Sequence, residues 1–249
     1  MSDTTLHDRA VIRLSGLEAR PFLQGLVTQD VMKVAADTPL WSGLLSPQGK
    51  ALFDFILWGD PQAPEDVLID CEATQADALI RRLTLYRLRK AVGIAREGGL
   101  AVHWALDATD KPVDPRLATL GHRWLDTPDG GDAGLGWRAH RLSLDVFEGV
   151  EELGNGETLW LECNAQELNG VAYDKGCYVG QENTARMHYR SKVNRRLVAV
   201  PLADADAKRQ RIALPDLGLS IEHRRIEDMR GLALPDWLAE AVAVEDSEA

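Results

Sequence analysis

Residues 175–186 read KGCYVGQENTAR and form the most distinctive segment of the chain. Two glycines flank Cys177 closely, and a run compatible with a helix follows Gln181. Glycine permits a sharp backbone turn or a close approach to a ligand. If Glu182 begins the helix, its carboxylate lies at the positive end of the helix dipole, and the free N–H groups of that turn are able to bind an anion or a polar ring. Spacing alone is also compatible with a turn that has no further function.

The chemistry of Cys177 depends on its neighbours. A thiolate beside Lys175 and the amino end of a helix has a depressed pKa and is more nucleophilic, which predicts a functional thiol with a redox or covalent role. A buried cysteine that packs as a small hydrophobic residue is the alternative. Cys71 and Cys163 lack such neighbours and are predicted to pack in the core. Three cysteines without a CxxC pair predict reduced thiols rather than a disulfide framework.

The hydrophobic pattern around this segment predicts a mixed α+β fold. Alternation at residues 10–14 predicts a strand, and apolar spacing over 17–26 predicts the helix that follows it. Residues 44–58, LLSPQGKALFDFILW, contain a proline and a glycine that indicate a turn. After the turn, Phe53, Phe55 and Leu57 place an apolar residue at every second position, which predicts a hairpin. A helix over 73–88 and two short strands over 91–104 complete a small α+β unit.

Composition limits the function classes that fit the chain. The 249 residues include 28 basic and 39 acidic ones, a net charge of −11, which disfavours general binding to nucleic acids. Six histidines show neither an HExxH helix nor a zinc-type spacing with cysteine, so no bound metal is predicted. No stretch of the chain is long and apolar enough to predict a membrane span. The first ten residues, MSDTTLHDRA, lack the basic and then apolar pattern of a leader. We therefore expect a cytoplasmic protein, and a monomer.

Residues 175–186 resemble the signature of the YgfZ family of folate-binding proteins, which is KGCYxGQE followed by an Ala/Ser-Arg pair. Four further stretches, FLQGLVTQD at 22–30, LLSPQGKALFDFIL at 44–57, LTLYRLRKAV at 83–92 and LECNAQELNG at 161–170, are similar to the same family. The resemblance extends over residues 6–200. Because this family is related to the glycine-cleavage T protein, it implies a ring of three small domains around a central folate channel.

The resemblance also implies a division of the chain. Residues 1–43 plus 119–190 form a discontinuous folate-binding domain, and 44–118 form a small α+β, ferredoxin-like domain. Residues 191–249 form a reduced C-terminal β-barrel domain, because this part is shorter and poorer in glycine than in the family. From Asp236 onward the chain has five acidic residues and no basic one, which independently predicts a disordered acidic tail.

The chain departs from the family pattern in three places. A Gly-Ile/Val-Pro turn is common where this chain has Asp145, Val146 and Phe147. Proline is usual where Trp160 stands, and glycine where Ser191 stands. These departures affect the shape that we expect for the folate site.

Folate places several demands on a binding site. Its flat pterin ring takes apolar walls with a carboxylate or amide at the edge, and its anionic glutamate tail takes an arginine. The signature match implies that Cys177 faces the channel and that tetrahydrofolate, or a folate derivative, is the cofactor. Lys175 and Cys177 are the expected reactive pair. The residues expected to contact the folate are Gln181, Glu182, Arg186, Glu162, Asn164, Gln24 and Asp30, with Arg87, Arg89 and Arg190 as further candidates for the tail.

The function implied by the resemblance is that of an accessory protein for the assembly or repair of iron–sulfur enzymes, including enzymes that modify tRNA. Its partners would be folate and iron–sulfur client enzymes or assembly proteins. An alternative is an aminomethyltransferase of the glycine-cleavage type, whose relatives resemble GLGARDxLRLEAG. Residues 134–146, GLGWRAHRLSLDV, lack both acids of that pattern, and Asp145 is out of register. Since general acid or base assistance contributes ~10²–10⁴ in rate, this absence disfavours the transferase.

A second alternative is a folate-independent scaffold. Residues 186–230 contain eleven basic and six acidic residues, so this region is basic within an acidic protein. It could dock a partner protein. Direct binding to RNA is not expected, because no aromatic-rich sheet motif accompanies the basic residues.

Overall fold

A five-stranded antiparallel sheet forms the largest unit of the structure, a computed structural model that describes residues 3–190 and 193–247. The first strand of the chain lies inside this sheet because both of its edges find partners. Ile12 pairs with Ile69 on one side and with Arg96 on the other. In the order of hydrogen bonding the strands are β2 Leu40–Leu45, β3 Ala51–Gly59, β4 Val67–Glu72, β1 Arg9–Ser15 and β5 Gly93–Glu97.

This sheet crosses the domain boundary that the sequence predicts between residues 43 and 44. Strand β1 belongs to the predicted first domain, yet it is hydrogen-bonded to β4 and β5 of the predicted second domain. Alternation identifies each strand but carries no signal for which distant strands pair, since pairing depends on tertiary packing. The division of the chain into domains stays a prediction.

Both faces of the sheet are buried by other elements. These elements are α1 Ala19–Gln24, α2 Ala76–Arg87, β6 Ala101–Ala105, β7 His122–Asp126 and α3 Gly134–Ser143. On one face, Phe55 of the sheet packs with residues of α1 and α2, such as Leu79. On the opposite face, Trp41 and Trp58 join a second core with β6, β7 and α3. Helix α2 confirms the helix predicted over 73–88, and the β2–β3 pair confirms the hairpin.

The second half of the chain contains a smaller sheet. Strand β10 lies between β8 and β9 and pairs antiparallel with both. Helices with antiparallel sheets confirm the α+β class, whereas the β-barrel and the three-domain ring stay predictions. Ser191 lies outside the described residues. The elements here are α4 Gln181–Arg190, β8 Arg195–Pro201, β9 Gln210–Leu214, β10 Leu219–Arg225 and α5 Asp236–Ser247.

The expectation of a disordered acidic tail is wrong up to Ser247, where helix α5 ends. Leu238 and Val242, four residues apart, lie on the same face of α5 and pack against the smaller sheet. The indole Nε1 of Trp237 donates to the carbonyl of Leu144 at 2.9 Å. A count of acidic residues misses this apolar face, because Asp236 and Glu240 are exposed while Leu238 and Val242 are buried on the same helix.

Candidate functional site

The signature segment packs directly on the β2–β3 hairpin. Gly180 has φ +85°, and a Cβ atom at this position would lie 2.6 Å from the carbonyl oxygen of Ser46. Only glycine fits that contact without a backbone shift. One turn later, the Asn183 side chain donates to the carbonyl of Gln48 at 2.9 Å. Two stretches that carry the family resemblance are therefore in contact, and the second glycine of the signature is required by packing.

Cys177 is the exposed cysteine of the chain. It follows Gly176, which has φ +93° and open space around it. The other two cysteines are buried as predicted, and burial raises the pKa of Cys71 to about 12 and that of Cys163 well above its ordinary value. Since the thiolate is the reactive form, Cys71 and Cys163 are inert. Cys177 is the thiol that a partner or reagent can reach.

Lys175 anchors the start of the signature segment. Its ammonium group donates to the carbonyl of Gln24 at 2.7 Å and to that of Val27, and burial lowers its pKa to about 8. The Gln24 amide in turn donates to Asp30 at 3.0 Å and to the Lys175 carbonyl at 3.3 Å. Three predicted site residues are thus brought together. Within the described part of the chain no hydrogen bond joins Lys175 to Cys177, so the lysine acts here as a backbone anchor.

Gln181, Glu182 and Arg186 lie on one face of α4 and line an open groove of about 510 Å³ together with Tyr189 and Arg190. The Glu182 side chain is 90% exposed, and its carboxylate lies 3.6 Å from the Arg186 guanidinium. Such an exposed pair contributes little to stability. The groove is open to solvent, so these residues form a surface rather than a closed pocket.

Glu162 and Asn164 belong to the stretch at 161–170 and link it to the smaller sheet. A carboxylate oxygen of Glu162 accepts from the Leu159 N–H at 3.2 Å. Asn164 is fully buried at φ +61°, and its amide donates to the carbonyl of Leu197 at 3.1 Å and accepts from Arg196 at 3.1 Å. The Asn164 side chain is therefore occupied by structural contacts. Contact of either residue with folate stays a prediction.

A cavity of about 490 Å³ lies between the five-stranded sheet and the β6–β7 pair. Its walls include Trp58, Leu68 and Trp124. The indole Nε1 of Trp58 is buried and has no hydrogen-bond partner in the described part of the chain. Lys111 also lines the cavity, with its ammonium group 5.7 Å from the centre of the Trp124 ring. The lining also includes Arg13 and three acids, Asp60, Glu97 and Asp126. The cavity therefore combines aromatic walls with charges of both signs, and no predicted site residue lines it.

Four buried arginines converge on Glu148, a feature that the sequence analysis missed. The carboxylate lies 2.8 Å from Arg116 and 3.4 Å from Arg141, with Arg9 and Arg123 at 3.8 and 3.9 Å. Burial alone would raise the pKa of Glu148, but the arginines outweigh burial and hold that pKa well below its ordinary value. A single charge between apolar neighbours, as in VFEGV, is the sequence signal that marks such a residue.

This charge cluster is a structural element. Arg9 and Arg123 also bind the two oxygens of Asp70, each at 2.7 Å, and the Trp137 indole donates to Glu148 at 2.8 Å. The cluster thereby ties β1, β4, β7 and α3 together.

Asp145 stands at the end of α3, where the family commonly has glycine. Its φ of +53° explains that preference, since the left-handed region favours glycine and tolerates aspartate. Its carboxylate accepts from the Ala199 N–H at 2.6 Å. Burial raises the pKa of Asp145 to about 7, and the Ala199 hydrogen bond opposes that rise. The departure thus keeps the turn and adds a buried acid.

Residues 3–190 and 193–247 contain no group of three or more His, Cys, Asp or Glu side chains arranged to hold a metal ion. None of the helices in these ranges has both the length and the apolar composition needed to cross a membrane.

No protein-family model matches the chain. It is 33% identical over 234 residues to "Iron-sulfur cluster assembly factor IBA57, mitochondrial" of Homo sapiens, an alignment covering 80% of this chain and 66% of the relative. The Mus musculus protein of the same name is 32% identical, with 79% of this chain and 65% of the relative covered. The chain therefore spans less than two thirds of the length of these relatives.

Among solved structures, the chain is similar to the glycine cleavage system aminomethyltransferase T from Bartonella henselae. The TM-score is 0.61 at 14% identity, and the match covers 80% of this chain and 66% of that one. At this identity the likeness concerns the fold alone, which is of the T-protein type. Membership of the YgfZ family itself stays a prediction.

The expectation of a cytoplasmic location is contradicted by these comparisons, because the human and mouse relatives are both named as mitochondrial. The expectation was drawn from the lack of an apolar span and from ten residues at the start of the sequence. So short a pattern does not determine the compartment in which a folded chain works.

Proposed function

Since its homologues include the IBA57 iron–sulfur cluster assembly factors, we propose that this chain supports the assembly or repair of iron–sulfur clusters in other proteins. This homology is the observation that carries the proposal. The fold of the T-protein type and the exposed thiol of the signature support it. Iron–sulfur enzymes that modify tRNA are the client class that the signature resemblance implies.

Cys177 is the residue that we assign to contact with the client or its cluster. Thiolates are the usual protein ligands of iron–sulfur clusters, and a cluster takes four of them. A single accessible thiol supplies one ligand, so the others would come from the partner protein. The cluster is then cargo held between two proteins and not a resident cofactor of this chain.

Tetrahydrofolate is the cofactor in this proposal, bound in the cavity between the five-stranded sheet and the β6–β7 pair. The cavity volume lies within the range of about 300–1,000 Å³ that is usual for small-molecule sites. Trp58 and Trp124 offer walls for a flat ring. Lys111 is a cation for the glutamate tail.

Transfer of a one-carbon unit is not part of the proposal. A transferase needs a carboxylate beside the folate nitrogen, and Asp145, the acid closest to the family position in sequence, is buried and bound to the Ala199 N–H. We expect no turnover in a glycine-cleavage assay with the carrier protein.

Replacing Cys177 tests the proposed function in cells. In cells that lack the gene for this chain, the wild-type chain is expected to restore the activity of iron–sulfur enzymes, and Cys177→Ala is expected to leave that activity at the level of the deletion. Because the side chain is exposed, the free energy of unfolding should change by less than about 0.5 kcal/mol.

Cys71→Ala is the matched control, since it removes a thiol that is buried and unreactive. It is expected to restore enzyme activity like the wild-type chain. Full restoration by Cys177→Ala would contradict a role for the thiol, and failure of the wild-type chain would contradict the proposed function as a whole.

Calorimetric titration with tetrahydrofolate tests the cofactor. We expect 1:1 binding in the micromolar range, about −8 kcal/mol. Trp58→Phe shortens one aromatic wall by a ring and Lys111→Ala removes a cation, and each should weaken binding about fivefold to tenfold. Lys33→Ala, an exposed lysine outside the cavity, should bind as the wild type does. A flat titration would favour the folate-independent scaffold.

A further inference from the structure

A second cavity, of about 240 Å³, opens on the three-stranded sheet and is lined almost entirely by cations. The protein as a whole carries a net charge of −11, so this concentration of positive charge is local. The lining residues are Arg195, Lys208, Arg209, Arg211, His223, Arg225 and Asp228.

The register of the sheet brings these side chains to one face. Arg195 of β8 lies directly opposite Arg225 of β10, and His223 precedes Arg225 by two residues, which places all three on the same side. A β-bulge between Ile221 and the next residue leaves Arg211 of β9 as the extra residue. Bulges re-aim side chains, and here Arg211 reaches the His223 ring.

The floor of the cavity has a defined hydrogen-bond direction. An Nη2 atom of Arg211 lies 3.0 Å from Nδ1 of His223, and a guanidinium can only donate, so Nδ1 accepts. The other ring nitrogen lies 3.3 Å from a carboxylate oxygen of Glu162. The Nε atom of Arg211 is buried without a hydrogen-bond partner in the described part of the chain. One donor at the floor therefore remains unused.

Acids neutralise only part of the lining. Arg209 lies 2.8 Å from Asp228 and 3.1 Å from Asp206. Arg211 lies 3.3 Å from Glu157, and Arg225 lies 3.1 Å from Glu227. Within the residues that the structure describes, Arg195 and Lys208 form no ion pair. Both side chains are exposed at the cavity mouth. Several like charges held this close raise the local concentration of anions.

We propose that this cavity is a binding site for a short phosphate chain, such as a diphosphate or a triphosphate group. Its volume of about 240 Å³ lies below the range of about 300–1,000 Å³ that is usual for drug-sized ligands, which suits a short chain of linked phosphates. Arginine forks match phosphate oxygens in geometry, and phosphate chains carry several negative charges in a small volume. The site is separate from the proposed thiol and folate sites, and the inference does not depend on them.

Titration of the full chain with pyrophosphate and tripolyphosphate in about 150 mM salt tests the site. Saturable 1:1 binding is expected. The double variant Arg195→Ala/Lys208→Ala should weaken it about tenfold or more. The double variant Arg81→Ala/Lys90→Ala changes the net charge equally at exposed positions outside the cavity, and it should bind within about twofold of the wild type.

Two further ligands identify what is recognised. ATP should bind about as tightly as tripolyphosphate, since only the phosphate chain enters the cavity. Citrate, a compact polycarboxylate, should bind at least about tenfold more weakly. The proposal is overturned if pyrophosphate and tripolyphosphate do not bind, if both double variants lose binding equally, if ATP binds and tripolyphosphate does not, or if citrate binds as tightly as tripolyphosphate.

Discussion

Glu148→Ala is expected to lower the free energy of unfolding by about 3–5 kcal/mol, measured by urea denaturation. The carboxylate is 4% exposed and lies within 4 Å of Arg9, Arg116, Arg123 and Arg141. Its removal leaves several buried cations with less opposite charge, and an uncompensated buried charge is costly. The loss should exceed that of an ordinary truncation of a surface acid by several fold.

Each arginine keeps one other carboxylate after this loss, so four cations then share three acids. These acids are Asp70 for Arg9 and Arg123, Asp114 for Arg116, and Glu152 for Arg141. Both Nη atoms of Arg123 and the Nε atom of Arg141 are buried without a hydrogen-bond partner in the described part of the chain. They depend on the charge of Glu148 rather than on direct hydrogen bonds. Arg123 also lies 5.0 Å from the centre of the Trp137 ring, a contact that remains in the variant and offsets only part of the loss.

Two further variants make the result specific. Glu148→Gln keeps the side-chain volume and an acceptor for the Trp137 indole, so its loss, about 3 kcal/mol, reports the charge itself. Glu227→Ala removes an exposed acid paired with Arg225 and should change stability by less than about 0.5 kcal/mol. Glu148→Ala within about 1 kcal/mol of the wild type would contradict a stabilising role for the carboxylate.

Local patterns predicted individual elements well. Apolar spacing predicted α2, and two-residue alternation with a glycine turn predicted the β2–β3 hairpin. The placement of β1 between β4 and β5 could not be read in this way, because Ile12 meets Ile69 across 57 positions of sequence. Helix α5 was missed because its acidic residues outnumber the apolar ones that it buries.

The candidate site could be predicted only in part, because the sequence does not show which distant residues meet. The motif letters identified Cys177 as the thiol of interest, and that thiol is exposed. They could not show that Lys175 turns toward the carbonyls of Gln24 and Val27. The cavity between the five-stranded sheet and the β6–β7 pair has Trp58 and Trp124 among its walls. These two residues lie far apart in sequence and belong to no motif, so only the fold reveals the cavity.

One departure from the family pattern has a clear packing role. The Trp160 ring lies 4.7 Å from the Trp41 ring, and its indole donates to the carbonyl of Gly170 at 3.0 Å. A Cβ atom on Gly43 would come within 3.0 Å of the Trp160 ring. Tryptophan at this position thus fills space beside the sheet that the smaller proline of the family would leave, so the interior here is more closely packed than the resemblance implies.

Asp145 is expected to make the stability of the protein fall as pH rises from about 4 to about 7. Burial raises its pKa to about 7, against an ordinary value of 3.8, so in this range the folded state holds a proton that the unfolded chain has released. Because the folded state then binds more protons, the free energy of unfolding decreases with rising pH. The contribution is fully present below about pH 4 and is lost above about pH 7, with a total of about 4 kcal/mol at most.

Asp145→Asn isolates this contribution, because the amide is neutral at every pH and its oxygen still accepts from the Ala199 N–H. Subtracting wild-type from variant stability at each pH cancels the other titrating groups. The difference in the free energy of unfolding should lie within about 1 kcal/mol of zero at pH 4. At pH 8 it should rise to about 2–4 kcal/mol in favour of the variant. Asp216→Asn changes the same charge at an exposed position, and its difference should stay within about 0.5 kcal/mol throughout. A flat difference for Asp145→Asn would show that this carboxyl titrates normally despite its burial.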